Sequence, residues 1–313
     1  MRIISYILIL ACLTGCRYTF ELDDKNMRSM PAVQSYICAD SLVAINIHKT
    51  VPLTQIGKAD TTLINPHYSL KCNGVEVEVR DSMIGEGGMA ICSKAFKNGD
   101  ELELTFGTDD METVVAKTSI PEQFPEYSLE LTGSHNSETR TLKISYDDNP
   151  DTDDWYGAVV RWQGLVYIYF TNSDYTTSFR RNQQTYPPSN YDALKLEPEA
   201  YSPLVIFWDN GYLYFWKDSD EEDNEYDLMY SYTHVNDYTS DKVENIKIQC
   251  SLYKFSEDMY KRLFAEYDRM SNPLSDIGLA SPAFTYSNVS NGLGYFCGYS
   301  ITESELITDN LSM

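Results

Sequence analysis

Histidine is nearly missing from this chain of 313 residues. The 4 that occur, His48, His67, His135 and His234, pair with no other histidine or cysteine at metal-ligand spacing. That removes the usual basis for zinc, and no metal is predicted. GxSxG, P-loop, GxGxxG and HExxH motifs are all absent, so no catalytic residue and no cofactor is predicted. Positive charge is scarce as well: 24 Lys and Arg stand against 47 Asp and Glu, a net charge of −23 with pI near 4.4. Such a body repels phosphates, which excludes nucleic acid as the expected partner and keeps the body off anionic lipid. Beyond the first residues, no apolar run reaches the ~18 residues that span a bilayer.

What the sequence does contain begins at its start. Arg2 precedes an almost unbroken apolar run over residues 3–13, which then reads Leu13-Thr14-Gly15-Cys16. A charged head and a short apolar stretch have signal-peptide form. Small residues leading into Cys16 resemble the bacterial lipobox, in which cleavage precedes the cysteine and the new N-terminus carries acyl chains such as palmitate. Each buried methylene contributes ~0.8 kcal/mol, so several chains hold a protein firmly to a membrane. The alternative is an ordinary secretory signal with an incidental cysteine. On the lipobox reading, residues 1–15 are a signal peptide, Cys16 is the lipid anchor and residues 16–30 form a tether. Within the tether Glu21-Leu22-Asp23-Asp24 is similar to the surface-export patch of Bacteroidota lipoproteins.

The rest reads as β structure. Asn73-Gly74 is a two-residue turn signal, and Val75 to Arg80 alternates apolar with charged. Leu102, Leu104 and Phe106 repeat at period two before Ile120-Pro121 and Phe124-Pro125. The expectation for residues 31–124 is an immunoglobulin-like antiparallel β-sandwich. Residues 125–313 are expected to form a larger, Tyr-rich antiparallel β domain; the chain holds 25 Tyr. There, 156–162 and 165–170 read as separate strands, 172–200 as a long polar insert, and 218–227 as an acidic loop. Residues 204–208 and 212–216 flank Asp209-Asn210-Gly211 as a hairpin. One helix is predicted over 257–270, capped by Ser256, with Met259, Tyr260, Leu263, Phe264, Tyr267 and Met270 on one face. Glycines in the Asn291-Gly292-Leu293-Gly294-Tyr295-Phe296-Cys297-Gly298 tail predict a strand approached closely by other backbone. Cys38, Cys72, Cys92, Cys250 and Cys297 read as buried free thiols, with one bridge left open.

Trp155, Trp162, Trp208 and Trp216 are the candidate ligand-binding residues, able to stack on sugar rings, although at strand spacing core burial is the more natural use of each. The acidic stretches at 147–154 and 218–227 space oxygens as calcium sites do, but lack the glycine and terminal Glu of an EF-hand, and read as solvated turns.

The helix, the Asn272-Pro273 after it and the terminal Asn-Gly-Leu-Gly-Tyr-Phe-x-Gly-Tyr-Ser motif are similar to the C-terminal signature of a Bacteroidota lipoprotein family, domain of unknown function 4249 (DUF4249). That family shares the lipobox, the N-terminal sandwich and the Tyr-rich second half. Its members are often encoded beside TonB-dependent transporters. The resemblance implies a non-enzymatic outer-membrane lipoprotein displayed on the cell surface and accessory to such a transporter in nutrient uptake. It would capture a glycan or peptide ligand or cover the transporter mouth. The alternative is a non-catalytic adhesin or structural envelope lipoprotein; a hydrolase, testable at Asp151 or His234, is the remaining class.

Overall fold

The computed structural model describes residues 28–309, apart from 53–54, 58–59, 85–86, 93, 134–138, 150, 172–176, 187–193, 196–203, 209–210, 219–223, 232–241 and 277–284. The predicted signal peptide, Cys16 and the acidic patch at 21–24 lie outside the described residues, as does His234.

Eight strands come first: β1 (Pro31–Cys38), β2 (Val43–Lys49), β3 (His67–Cys72), β4 (Val75–Val77), β5 (Val79–Ile84), β6 (Gly87–Cys92), β7 (Glu101–Thr108) and β8 (Met111–Ser119). Their patterns dictate the faces. In β1, Val33, Ser35 and Ile37 point inward while Gln34 is exposed. Asn73 and Gly74 both take positive φ, 51° and 78°, the primed-turn geometry that lets β3 and β4 pair with Cys72 opposite Val75. Val33, Ile45, Leu70, Leu104 and Phe106 meet in one fully enclosed core.

The later strands are β9 (Tyr127–Gly133), β10 (Thr139–Tyr146), β11 (Trp155–Thr171), β12 (Thr177–Tyr186), β13 (Leu194–Lys195), β14 (Leu204–Trp208), β15 (Gly211–Lys217), β16 (Asn224–Ser231), β17 (Lys242–Phe255), β18 (Val289–Ser290), β19 (Leu293–Glu303) and β20 (Ile307–Thr308). The two strands read on either side of Gly164 are one, β11, with a register shift between Gln163 and Leu165. A bulge absorbs the extra residue without ending the strand. The polar insert also contains β12, which pairs with β11 from Trp162↔Tyr186 to Thr171↔Thr177. Likewise the stretch predicted as an acidic loop enters β16 at Asn224. β12 is a polar strand made extended by its pairing partner, whereas β16 carries Tyr226, Leu228 and Tyr230 at period two.

Three sheets result. One has eleven strands, in the order β14-β15-β11-β17-β19-β1-β2-β6-β5, with β12 also on β11 and β20 on β17. A five-stranded sheet, β18-β8-β7-β3-β4, covers the first core. A four-stranded sheet, β13-β16-β10-β9, covers a second core around Leu142, Ile144, Tyr156, Trp216 and Leu252. The fold is thus mostly β and its pairs are antiparallel, with one exception among the described residues. β19 pairs with β1 in parallel, Ala32↔Leu293 through Cys38↔Tyr299, and with β17 antiparallel on its other side. One sheet therefore runs across the point near residue 124 where the sequence suggests a boundary. Phe296 of β19 is fully buried in the first core, whereas its neighbour Cys297 enters the third. The five described cysteines are all buried and unbridged.

Helix α1 (Glu257–Ser271), followed by the short α2 (Pro273–Asp276), covers the third core, on the face of the large sheet opposite the second. The Ser256 hydroxyl accepts from the Met259 N–H at 3.1 Å, and Glu257 and Asp258 sit at the positive end of the dipole. Met259 and Leu263 are buried; Phe264 and Met270, predicted to share their face, are 39 % and 53 % exposed. Phe264 lies just past the buried arc at 100° per residue, and Met270 belongs to the last turn. Ser256→Ala should lower the stability of the chain by about 1 kcal/mol, read as a reduced urea midpoint with unchanged slope.

Candidate functional site

The large sheet curls around α1. β14 and β1 stand five places apart in it, yet the rings of Trp208 and Tyr36 meet edge to face at 4.9 Å. Tyr36 also stacks on Tyr295 of β19 at 4.6 Å, and the Arg262 guanidinium of α1 lies 4.8 Å from the Tyr295 ring centre. Glu266, one turn on, accepts from both terminal nitrogens of Arg262 at 3.1 and 3.2 Å. Burial pushes the Tyr36 phenol well above the ordinary range, with its hydrogen bond to Tyr295 adding to the shift. The result is a seam of three half-buried aromatic rings, closed by an arginine–glutamate pair, where two non-adjacent strands approach without sharing a ladder.

The four tryptophans do not converge. Trp208 belongs to the seam. Trp155 is half-buried at the other end of the third core, 6.4 Å from the Tyr260 ring. Trp216 is 3 % exposed on the opposite side of the sheet, where its Nε1–H donates to the Tyr146 hydroxyl at 3.0 Å, so neither face of its ring is open. Trp162 lies in β11, and its side chain is outside the described residues. Tyr36, Tyr295 and Arg262 were not found from sequence. They lie 172, 87 and 54 positions from Trp208, and no local pattern links them.

Two cavities of about 510 and 500 Å³ open on the first core's side of the molecule. The first, at the start of β1, is crossed by ion pairs Arg28–Glu112 at 2.7 Å and Lys49–Asp110 at 2.6 Å. The second lies between Lys71, Glu103 and Lys117 and the first turn of α1 at Asp258. Lys117 and Glu103 pair at 2.7 Å. Each cavity is lined by two basic and three acidic residues, so opposed charges meet within it and one acid is in excess. Among the described residues no group of three or more His, Cys, Asp or Glu could hold a metal ion. Asp151 is exposed, with its N–H bonded to the Asn149 side chain at 3.1 Å, as a turn residue would be.

These features define a class: a mostly β protein whose C-terminal strand closes its N-terminal sheet, with a helix-covered aromatic seam. The family described as Domain of unknown function (DUF4249) matches residues 17–305, and the chain belongs to it. A comparison with curated proteins finds no match.

Proposed function

We propose that this protein is a lipid-anchored outer-membrane accessory that works at the cell surface beside a TonB-dependent transporter, capturing a ligand for it or covering its mouth. The observation that carries the reading is the lipobox-like ending of the apolar start at Cys16, followed at once by the family match from residue 17. A charge of −23 fits a body held off an anionic surface by its tether. The aromatic seam supports the capture role. The half-buried Tyr36 and Trp208 offer ring edges to a sugar or a peptide side chain beside the Arg262–Glu266 pair, while Tyr295, covered by Tyr36 and Arg262, holds Tyr36 in place.

Mass spectrometry of the protein from its native membrane tests the anchor. The expected result is an acylated Cys16 at the new N-terminus, and Cys16→Ser should move the protein from the membrane to the soluble fraction. An unmodified Cys16 in an uncleaved chain would sink the reading. Protease treatment of intact cells tests display, and co-purification tests the transporter. If glycan and peptide pools give no calorimetric signal and no transporter co-purifies, an adhesin or structural envelope role takes its place.

A further inference from the structure

The second cavity, of about 500 Å³, opens on the outer face of the five-stranded sheet. Strand alternation turns Lys71 of β3, Glu101 and Glu103 of β7, and Lys117 and Ser119 of β8 away from the first core. The register sets them in two rows. Lys71 lies opposite Glu103 and Glu103 opposite Lys117, while Glu101 lies opposite Ser119. Asp258, from the first turn of α1, lines the cavity as well and accepts from the Tyr286 hydroxyl. At Gly74 the rim is open, since a Cβ built on that residue meets nothing within 4 Å.

Only some of these charges are satisfied. Lys117 and Glu103 pair with each other at 2.7 Å. Lys71 and Glu101 form no ion pair and no side-chain hydrogen bond among the described residues, although both line the cavity. Glu101 stands two residues along β7 from Glu103, which makes it the diagonal neighbour of Lys71, and diagonal positions lie about 7–8 Å apart. One positive and one negative group are thus open at that spacing, with the Ser119 hydroxyl beside them. A lone anion on Lys71 would sit next to Glu101 and Asp258, and a lone cation on Glu101 next to Lys71. A neutral sugar would leave both charges unanswered, and no aromatic ring is among the described lining residues. A molecule carrying an ammonium and a carboxylate several ångströms apart answers both.

We propose that this cavity binds a peptide of two or three residues with free ends, its carboxylate on Lys71, its ammonium on Glu101 and an amide between them on the Ser119 hydroxyl. An extended chain advances about 3.3–3.6 Å per residue, so two residues span the distance from Lys71 to Glu101 and three span it with the side chains stretched outward. A free α-amino acid carries its two charges on one residue and is too short to hold both ends. The volume, about 500 Å³, is that of a small-molecule site and excludes a folded partner. Asp258, the acid in excess, adds negative potential that favours the ammonium. The site lies apart from the aromatic seam and does not depend on an anchor at Cys16.

Calorimetry of the full-length protein with trialanine should show saturable binding, with a Kd of about 1 mM or tighter. Acetylating the amine of that peptide, or amidating its carboxylate, should each weaken binding about tenfold or more, as the loss of one charge-assisted hydrogen bond does. Lys71→Met should bind the amidated and free forms alike, and Glu101→Gln the acetylated and free forms alike. Blocked peptides binding the wild type as well as trialanine does would overturn the site. So would either variant keeping its wild-type end preference, or no saturable heat up to about 10 mM peptide. If a variant does not fold, the three peptides on the wild type decide. Neither the seam nor the lipid enters this test, so its failure and that of the proposed function are separate results.

Discussion

Gly294→Ala is expected to cost roughly 3–5 kcal/mol, through a left-handed backbone and an overpacked contact together. Gly294 has φ of +105°, and a Cβ built there lies 1.9 Å from the Val33 carbonyl oxygen. That oxygen belongs to the opposing strand of the parallel pair and cannot swing aside as a side chain can. The pair β1–β19 must separate locally to admit a methyl group. Gly74→Ala is the control. Its φ is +78°, but nothing lies within 4 Å, so only the conformational cost of about 1 kcal/mol remains. Urea unfolding of the two variants separates the causes. Equal losses would show that the close approach of backbone to backbone contributes nothing.

A fragment ending at residue 125 should fail to fold by itself, and so should a chain cut before residue 288. The first core is completed by the end of the sequence. β1 loses its parallel partner along seven residue pairs, and β8 loses its pairing with β18. Asn288 donates to the carbonyls of Lys117 and Phe296, while its Oδ1 accepts from the Phe296 N–H at 2.9 Å. Gly298 donates to Thr118 Oγ1 at 3.0 Å, and Ser300 donates to the Glu122 carbonyl at 2.7 Å. Deleting a buried phenylalanine alone costs about 3–5 kcal/mol, against a typical total of 5–15 for a domain. Losing Phe296 with its whole ladder removes most of that margin. The fragment should show no cooperative thermal transition and should bind a hydrophobic dye. A peptide spanning residues 287–303, added in trans, should restore a transition. A sharp, dye-free melt of residues 28–125 alone would refute this account.

What could be read from the chain follows the range of each interaction. Hairpins were legible because their signals are local: Asn73-Gly74 carries the positive φ values its turn requires, and 204–216 is two continuous apolar runs around Asp209-Asn210-Gly211. The N-cap at Ser256 was legible for the same reason. The parallel pairing of residues 32–38 with 293–299 leaves no local mark, since either strand alone resembles any half-buried antiparallel strand. Only the glycines at 294 and 298 hinted at it, by predicting a close approach without saying to what. β12 was missed because a polar strand lacks period-two contrast, and β16 because its alternating Tyr226, Leu228 and Tyr230 follow directly on an acidic run. Of the aromatic seam, Trp208 was visible and its neighbours were not. Trp216 looked identical in sequence, and only the side of the sheet it faces separates the two.

The position of β1 has a mechanical consequence. Any tension transmitted from residue 28 enters the fold at Pro31 and runs lengthwise along this strand. β1 is hydrogen-bonded to β2 on one edge and to β19 on the other, and those bonds lie across the direction of pull. If the proposed anchor at Cys16 holds the chain, force along its tether would shear two ladders together instead of peeling one bond at a time. A body pulled from its N-terminal side would resist rupture best at the place where it is held.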